Sequence, residues 1–172
     1  MKVTAQEEYG LRCILQLVRA SEDAVVQVPQ IAQAEGLSIP YVEKLMRIIS
    51  RAGLAKSVRG VNGGYRLAVK AEMLSLGDVM RALGNFPTPD EMCRQYTAGR
   101  HSCVHTGPCG VRSVWNHVAS YLTELFDSIP LVSLVNGDFS KPIQLLPPTA
   151  FRQRLIQHEE TESPIVKSLS KE

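Results

Sequence analysis

Residues 31–42 read Ile31-Ala-Gln-Ala-Glu-Gly-Leu-Ser-Ile-Pro-Tyr-Val42. Two helical patterns meet here across one glycine. A short helix from about Val28 to Glu35 stops at Gly36, the residue type best suited to a left-handed helix terminus. Ser38 then caps a second helix whose first turn tolerates Pro40. Ala32 is small enough for the two helices to cross closely. Val42, Leu45, Met46 and Ile49 recur at the spacing of one buried helical face, Lys44, Arg47 and Arg51 fall largely on other faces, and Gly53 closes the helix. In a helix-turn-helix the second helix enters the major groove with its N-terminal residues against base edges. Here those residues are Ser38, Ile39, Pro40, Tyr41 and Lys44.

The flanks extend the pattern. Downstream, two short alternating runs between Leu54 and Val69 surround Asn62-Gly63, a hairpin signal. A hairpin after the second helix makes a wing. Arg47, Arg51, Lys56 and Arg59 are placed for phosphates, and the tip, Arg59 to Gly64, for the minor groove. Between Ile39 and Lys70 seven basic residues (Lys44, Arg47, Arg51, Lys56, Arg59, Arg66 and Lys70) face one acid, Glu43. The whole chain carries only +2, so the rest is net acidic. A solvated face normally mixes its signs; a local basic block is the footprint of a polyanion partner. Upstream, Thr4 and Glu7 spell a capping box for a first helix ending near Ala20–Asp23, with Tyr9, Leu11, Ile14, Leu15, Leu17 and Val18 at helical spacing.

Beyond the wing, Ser75 to Leu83 reads as a short helix. Residues 85–110 are rich in Gly and Pro and lack periodicity, and a loop of that length is usually functional. From Val111 to about Val132 the pattern is helical again, and Val111, Trp115, Val118, Leu122, Leu125 and Ile129 form a heptad-like seam. Val114, Tyr121 and Phe126 broaden it. Packing on its own domain is one destination for that stripe; residues 1–84 look self-sufficient, which favours a homodimer interface. The division expected is therefore a DNA-binding domain over 1–84, a cysteine loop over 85–110, a dimerisation helix over 111–135, and a weakly ordered tail over 136–172 with a short helix near Phe151–His158. The fold class expected is mainly α: a winged helix-turn-helix with a long C-terminal dimerisation helix.

The chain has 172 residues, 44% of them hydrophobic, enough for one packed domain with a helical extension. It contains no apolar run of the roughly 18–20 residues that a membrane span needs. The first residues lack an apolar signal core, so a cytoplasmic location is expected. No nucleophile–base pair or phosphate loop is visible, which argues against an enzyme.

Four cysteines are present, Cys13, Cys93, Cys103 and Cys109. Cys13 falls inside a helical apolar pattern and reads as a buried inert thiol. The other three are grouped as C-x9-C-x5-C, which invites a metal or a cluster. Soft thiolates suit an iron–sulphur cluster. Zinc, with His101 or His105 as fourth ligand, and a metal-free thiol switch remain open on the residues alone.

The segments MKVTAQEEYGLRCILQL (1–17), LSIPYVEKLMRIISRAGL (37–54), SVRGVNGGYRLA (57–68) and SLGDVMRALG (75–84), followed by a cysteine loop and a long helix, resemble the Rrf-two family of bacterial regulators, among them IscR, NsrR and RirA. The resemblance covers about residues 1–135. It implies an iron–sulphur cluster, [4Fe-4S] or [2Fe-2S], on Cys93, Cys103 and Cys109, although the first gap is wider here than the family's usual one. IscR-like members use a histidine three residues after the last cysteine; this chain has Arg112. NsrR-like members use a carboxylate near the start of the first helix of the other subunit, and Glu8 matches that position. Against that reading, acids are favoured in any first helical turn, and His101 and His105 are rival ligands. The function implied is a dimeric regulator, a repressor by resemblance, whose affinity for a double-stranded operator follows nitric oxide, redox state or iron supply. The rivals are the same fold with zinc or no metal, and an iron–sulphur carrier or redox protein.

Overall fold

Thr4 opens the first helix as the spacing predicts. Its hydroxyl accepts the Glu7 N–H at 3.3 Å, and the Glu7 carboxylate accepts the Thr4 N–H at 2.7 Å. The structure, a computed structural model, describes residues 3–21, 23–84, 103, 105 and 109–137. Helix α1 spans Ala5–Arg19, α2 Val28–Glu35 and α3 Ile39–Arg51. Strands β1, Ala55–Val58, and β2, Gly64–Leu67, pair antiparallel with Ala55 opposite Leu67 and Val58 opposite Gly64. A turn of 3-10 helix, Ala71–Met73, leads to α4, Leu76–Leu83, then α5, Gly110–Asp127, and α6, Leu131–Asn136. A helix-turn-helix followed by a two-stranded wing is the winged helix fold expected.

The core is built from one face each of α1, α2, α3, α4 and α6. Cys13, Ile14, Ile31, Val42, Leu45, Met46, Ile49, Val79, Leu83 and Leu131 are all essentially inaccessible. Gly36 ends α2 at φ +66°, where a side chain would be strained, and so allows the turn into α3. The Val26 N–H and C=O pair with Tyr65, at 2.8 and 2.9 Å, tying the wing's second strand to the segment ahead of α2.

Two expectations are corrected. The long helix does not run on to Val132. It ends at Asp127, and Pro130 explains why: proline lacks the N–H that the next helical bond requires and disfavours helix in the residue before it. The chain then turns back. Leu76 N–H donates to the Ile129 carbonyl at 2.8 Å, and Leu131 N–H donates to the Leu74 carbonyl at 2.8 Å. Leu131 is fully buried, and Leu134 and Val135 pack on the same core. The head is therefore not self-sufficient at residue 84: α6 completes it. The tail with its expected helix near Phe151–His158 lies outside the described residues.

Candidate nucleic-acid interface and cysteine site

Helix α3 divides its residues between core and surface. Val42, Leu45, Met46 and Ile49 are buried, while Ser38, Ile39, Pro40, Lys44, Arg47 and Arg51 are exposed. Ser38 occupies the N-cap position but makes no side-chain capping bond, so its hydroxyl stays available to a ligand. Tyr41 is half-buried, with its ring edge-on to Tyr9 of α1. On the wing, Lys56, Arg59 and Asn62 are exposed and Gly63 is half-buried. The sequence-predicted contact residues are thus brought to the surface of α3 and the hairpin.

The basic block is smaller than its composition implies. Arg66, which stands opposite Lys56 in the sheet, is engaged by the carboxylate of Asp23. One of the seven expected charges is thereby neutralised. The aspartate lies 43 positions away in sequence, so local charge counting misses it.

Behind α3, α2 is anchored to α1 through a shielded carboxylate. Glu35, whose side chain is 7% exposed, accepts from Arg12 Nε at 2.7 Å and from the Gln16 amide, with Arg19 at 3.9 Å. The hydrogen bond to Glu35 pushes the Arg12 guanidinium above its usual pKa, and Arg12 also lies 5.6 Å from the centre of the Tyr9 ring. Cys13 lies in the core on the same helix. Burial, reinforced by the Glu35 charge, pushes its thiol from 9.0 up to about 12, which makes it inert as the sequence implied.

Cys103 and Cys109 are free thiols like Cys13 but half-buried rather than buried, which leaves both sulphurs open to a ligand. Cys109 is the N-cap residue of α5. One turn on, the Arg112 guanidinium donates to the His105 carbonyl and ties the helix to the loop. Arg112, which stands where IscR-like members use a histidine ligand, thus has a structural partner of its own. Cys93 and His101 lie outside the described residues. Among the described residues no three metal-ligating side chains come together, so the donor chemistry fits a thiophilic group but the full ligand set is not assembled there. Glu8 is exposed in the first turn of α1, beside the capping carboxylate Glu7.

Helix α5 leaves an apolar face uncovered: Val111, Val114, Trp115, Val118 and Tyr121 are between 41% and 68% exposed. Leu122 and Leu125 are partly covered. Ile129, expected to continue the seam, lies past the end of the helix and is buried within this chain at 6% exposure. At the same end Arg81 bridges Asp78 at 2.8 Å and Asp127 at 2.7 Å, fixing α5 to α4. Among the described residues no helix is long and apolar enough to cross a membrane.

Comparison with known proteins agrees with this architecture. Residues 3–137 match the family described as Rrf2, iron-dependent transcriptional regulator. The chain is 33% identical over 135 residues to protein rrf2 of Nitratidesulfovibrio vulgaris, covering 78% of this chain and 87% of that one. It is 29% identical over 138 residues to the regulator IscR of Vibrio vulnificus, covering 80% and 79% respectively. Among solved structures it is similar to CymR, the global cysteine regulator of B. subtilis, with a TM-score of 0.63 and 26% identity over 80% of this chain and 98% of that one. IscR of T. potens aligns with a TM-score of 0.62 and 28% identity over 88% and 96%. The fold, the exposed face of α3 with its wing, and these likenesses together make the chain a member of the Rrf2 family of helix-turn-helix transcriptional regulators.

Proposed function

We propose that this DNA-binding regulator is a cytoplasmic homodimeric repressor whose operator affinity is set by an iron–sulphur cluster on Cys93, Cys103 and Cys109. The observation that carries the reading is the position of Cys109. It caps one end of α5, and the other end of α5 is fixed to the DNA-reading head by the Leu76–Ile129 and Leu131–Leu74 hydrogen bonds. A change of ligation at Cys109 therefore acts on a helix that bears directly on the head. This is a local event with a global readout.

A bound cluster would supply iron sites open to nitric oxide, oxygen or a change of redox state. The chain's own residues do the rest. Cys109 and Cys103 offer soft donors, and Arg112 holds the loop carbonyl of His105. Glu8 of the partner subunit is the proposed fourth ligand, an exposed hard donor that makes one position labile. The apolar face of α5 supports pairing of two copies, because a stripe that includes Trp115 and Tyr121 in water is costly for a lone protomer. Paired heads suit an operator with half-sites about one or two helical turns apart.

A second reading, regulation without a cluster, has the likeness to CymR behind it. Anaerobic purification with visible spectroscopy and iron and sulphide analysis separates the two. Brown protein containing iron and acid-labile sulphide in comparable amounts is expected. Colourless protein that binds a specific duplex equally well with and without added iron and sulphide would overturn the cluster and leave the second reading.

A further inference from the structure

We infer that Val61 is a specificity-determining residue, which reads the minor groove by exclusion and selects A·T over G·C pairs beneath the wing. The inference rests on the DNA-reading role of the chain and deepens it.

Val61 is the most exposed large apolar residue described, at 102% of its reference area. Nothing in the fold holds it. It stands at the centre of a turn closed by the Gly63 N–H on the Gly60 carbonyl at 2.9 Å. Such positions usually carry Gly, Asn, Asp, Pro or Ser. The turn is built to be narrow. Gly60 sits at φ +116°, and a Cβ at Gly63 would stand 2.5 Å from the Val58 carbonyl oxygen and 2.8 Å from that of Gly60. The tip between Val58 and Gly64 therefore carries side chains only at Arg59, Val61 and Asn62. A tip with so few side chains suits the minor groove, about 6 Å wide.

Chemistry then assigns the preference. Over an A·T pair the floor of the minor groove presents acceptors and the apolar C2–H of adenine. Over G·C it presents the N2 amino donor of guanine. The isopropyl group of Val61 has no acceptor to offer. It covers the groove acceptors of either pair alike, and against G·C it additionally strips water from that amino group and returns no hydrogen bond. Seated against A·T its methyls meet the adenine C–H. The β-branched side chain is stiff and loses little rotamer freedom on insertion. Arg59, two residues away, supplies attraction to the phosphates, and Asn62 can bond either kind of pair.

The test uses the full-length, anaerobically purified protein and a duplex it selects from a random pool. A·T pairs beneath the wing are replaced singly by 2,6-diaminopurine·T, which adds the minor-groove amino group and keeps the A·T major groove. They are also replaced by inosine·C, which lacks the amino group but carries a G·C major groove. At one pair per half-site, diaminopurine is expected to weaken binding about tenfold and inosine·C by less than about twofold. Val61→Ser, whose hydroxyl can accept from the amino group, should erase the difference. Because the side chain makes no contact, that variant keeps its fold, checked by circular dichroism. Equal responses to the two analogues, or unchanged discrimination in Val61→Ser, would overturn the inference while leaving DNA reading intact. Failure of the unmodified protein to select any duplex would overturn DNA reading and the inference with it.

Discussion

Tyr9 of α1 meets Tyr41 of the recognition helix edge-on, with ring centres 6.1 Å apart and planes at 80°. The contact joins the residue after Glu8 to the N-terminal turn of α3. An edge-to-face aromatic pair contributes about 0.5–1.5 kcal/mol beyond its buried area. A double-mutant cycle with Tyr9→Leu and Tyr41→Leu, followed by urea unfolding, should return a coupling energy of about 1 kcal/mol. Additive single mutants would show that the rings touch without holding α3 in place.

The charge pattern predicts unequal arginines. Arg51→Ala and Arg59→Ala should each lower the slope of log affinity against log salt by about 0.9. Arg66→Ala, whose guanidinium is engaged by Asp23, should lower it by less than half as much, or about 0.4. Titrations at several salt concentrations decide. Equal slope changes in all three would mean that Asp23 releases Arg66 on binding. A Tyr41 substitution should instead alter the preferred sequence, as base contacts do.

For the cluster, Cys93→Ala, Cys103→Ala and Cys109→Ala should each abolish visible absorption, and Cys13→Ala should leave it. Glu8→Ala should keep the dimer but change the spectrum or speed its loss in air. Glu8→Cys should slow that loss, because thiolate suits iron better than carboxylate. His101→Ala and His105→Ala are the controls: a spectral change in either, with none in Glu8→Ala, would move the fourth ligand into the loop.

Cys13 carries a pH prediction of its own. Its thiol titrates at about 12 in the folded state against 9.0 ordinarily. Below 9.0 the thiol is neutral in both states, and its contribution to stability is fully present. Above that pH the unfolded chain loses its proton while the folded one keeps it. Stability should therefore fall with rising pH, by up to about 1.4 kcal/mol per unit, until the folded pKa is reached. Cys13→Ala lacks this dependence, so its deficit relative to the unaltered protein should shrink between pH 9 and pH 11 in denaturation experiments, about two units across. A constant deficit would mean the thiol ionises in place.

The apolar face of α5 separates assembly from folding. Val118→Asp changes a residue 41% exposed in the protomer and should give folded monomers by sedimentation. Ile129→Asp buries an unpaired charge inside the head and should cost about 3 kcal/mol or more, lowering the melting temperature instead. A dimeric Val118→Asp would remove α5 as the interface.

The α3 face, the hairpin and the Thr4–Glu7 capping box were legible because each is written in a few consecutive residues. Helical period gave the buried set of α3, and an asparagine–glycine pair gave the turn. What sequence could not give was pairing at a distance. Glu35 looks like an ordinary acid at a helix end, and only the folded chain sets Arg12 and Gln16 against it. The Ser75–Pro130 bridge joins backbones 55 positions apart and leaves no periodic mark. The heptad rhythm runs through Ile129 and so hides the stop that Pro130 imposes one residue later. Arg112 drew notice as a missing ligand rather than as a tie to the loop, since carbonyl partners carry no side-chain signature.

The clip between residues 74–76 and 129–131 joins the C-terminal end of α5 to the head. Arg81 holds Asp127 beside it, a further tie between α4 and α5. In the proposed pairing along α5, a change in how the two helices cross would alter the distance between reading heads. The lever is long: 18 residues rise about 27 Å, so a swing of about 10° carries a head roughly 5 Å, more than the ~3.4 Å step from one base pair to the next. In that proposed pairing, a small change in crossing angle would become a choice between operators whose half-sites differ in spacing by a single pair.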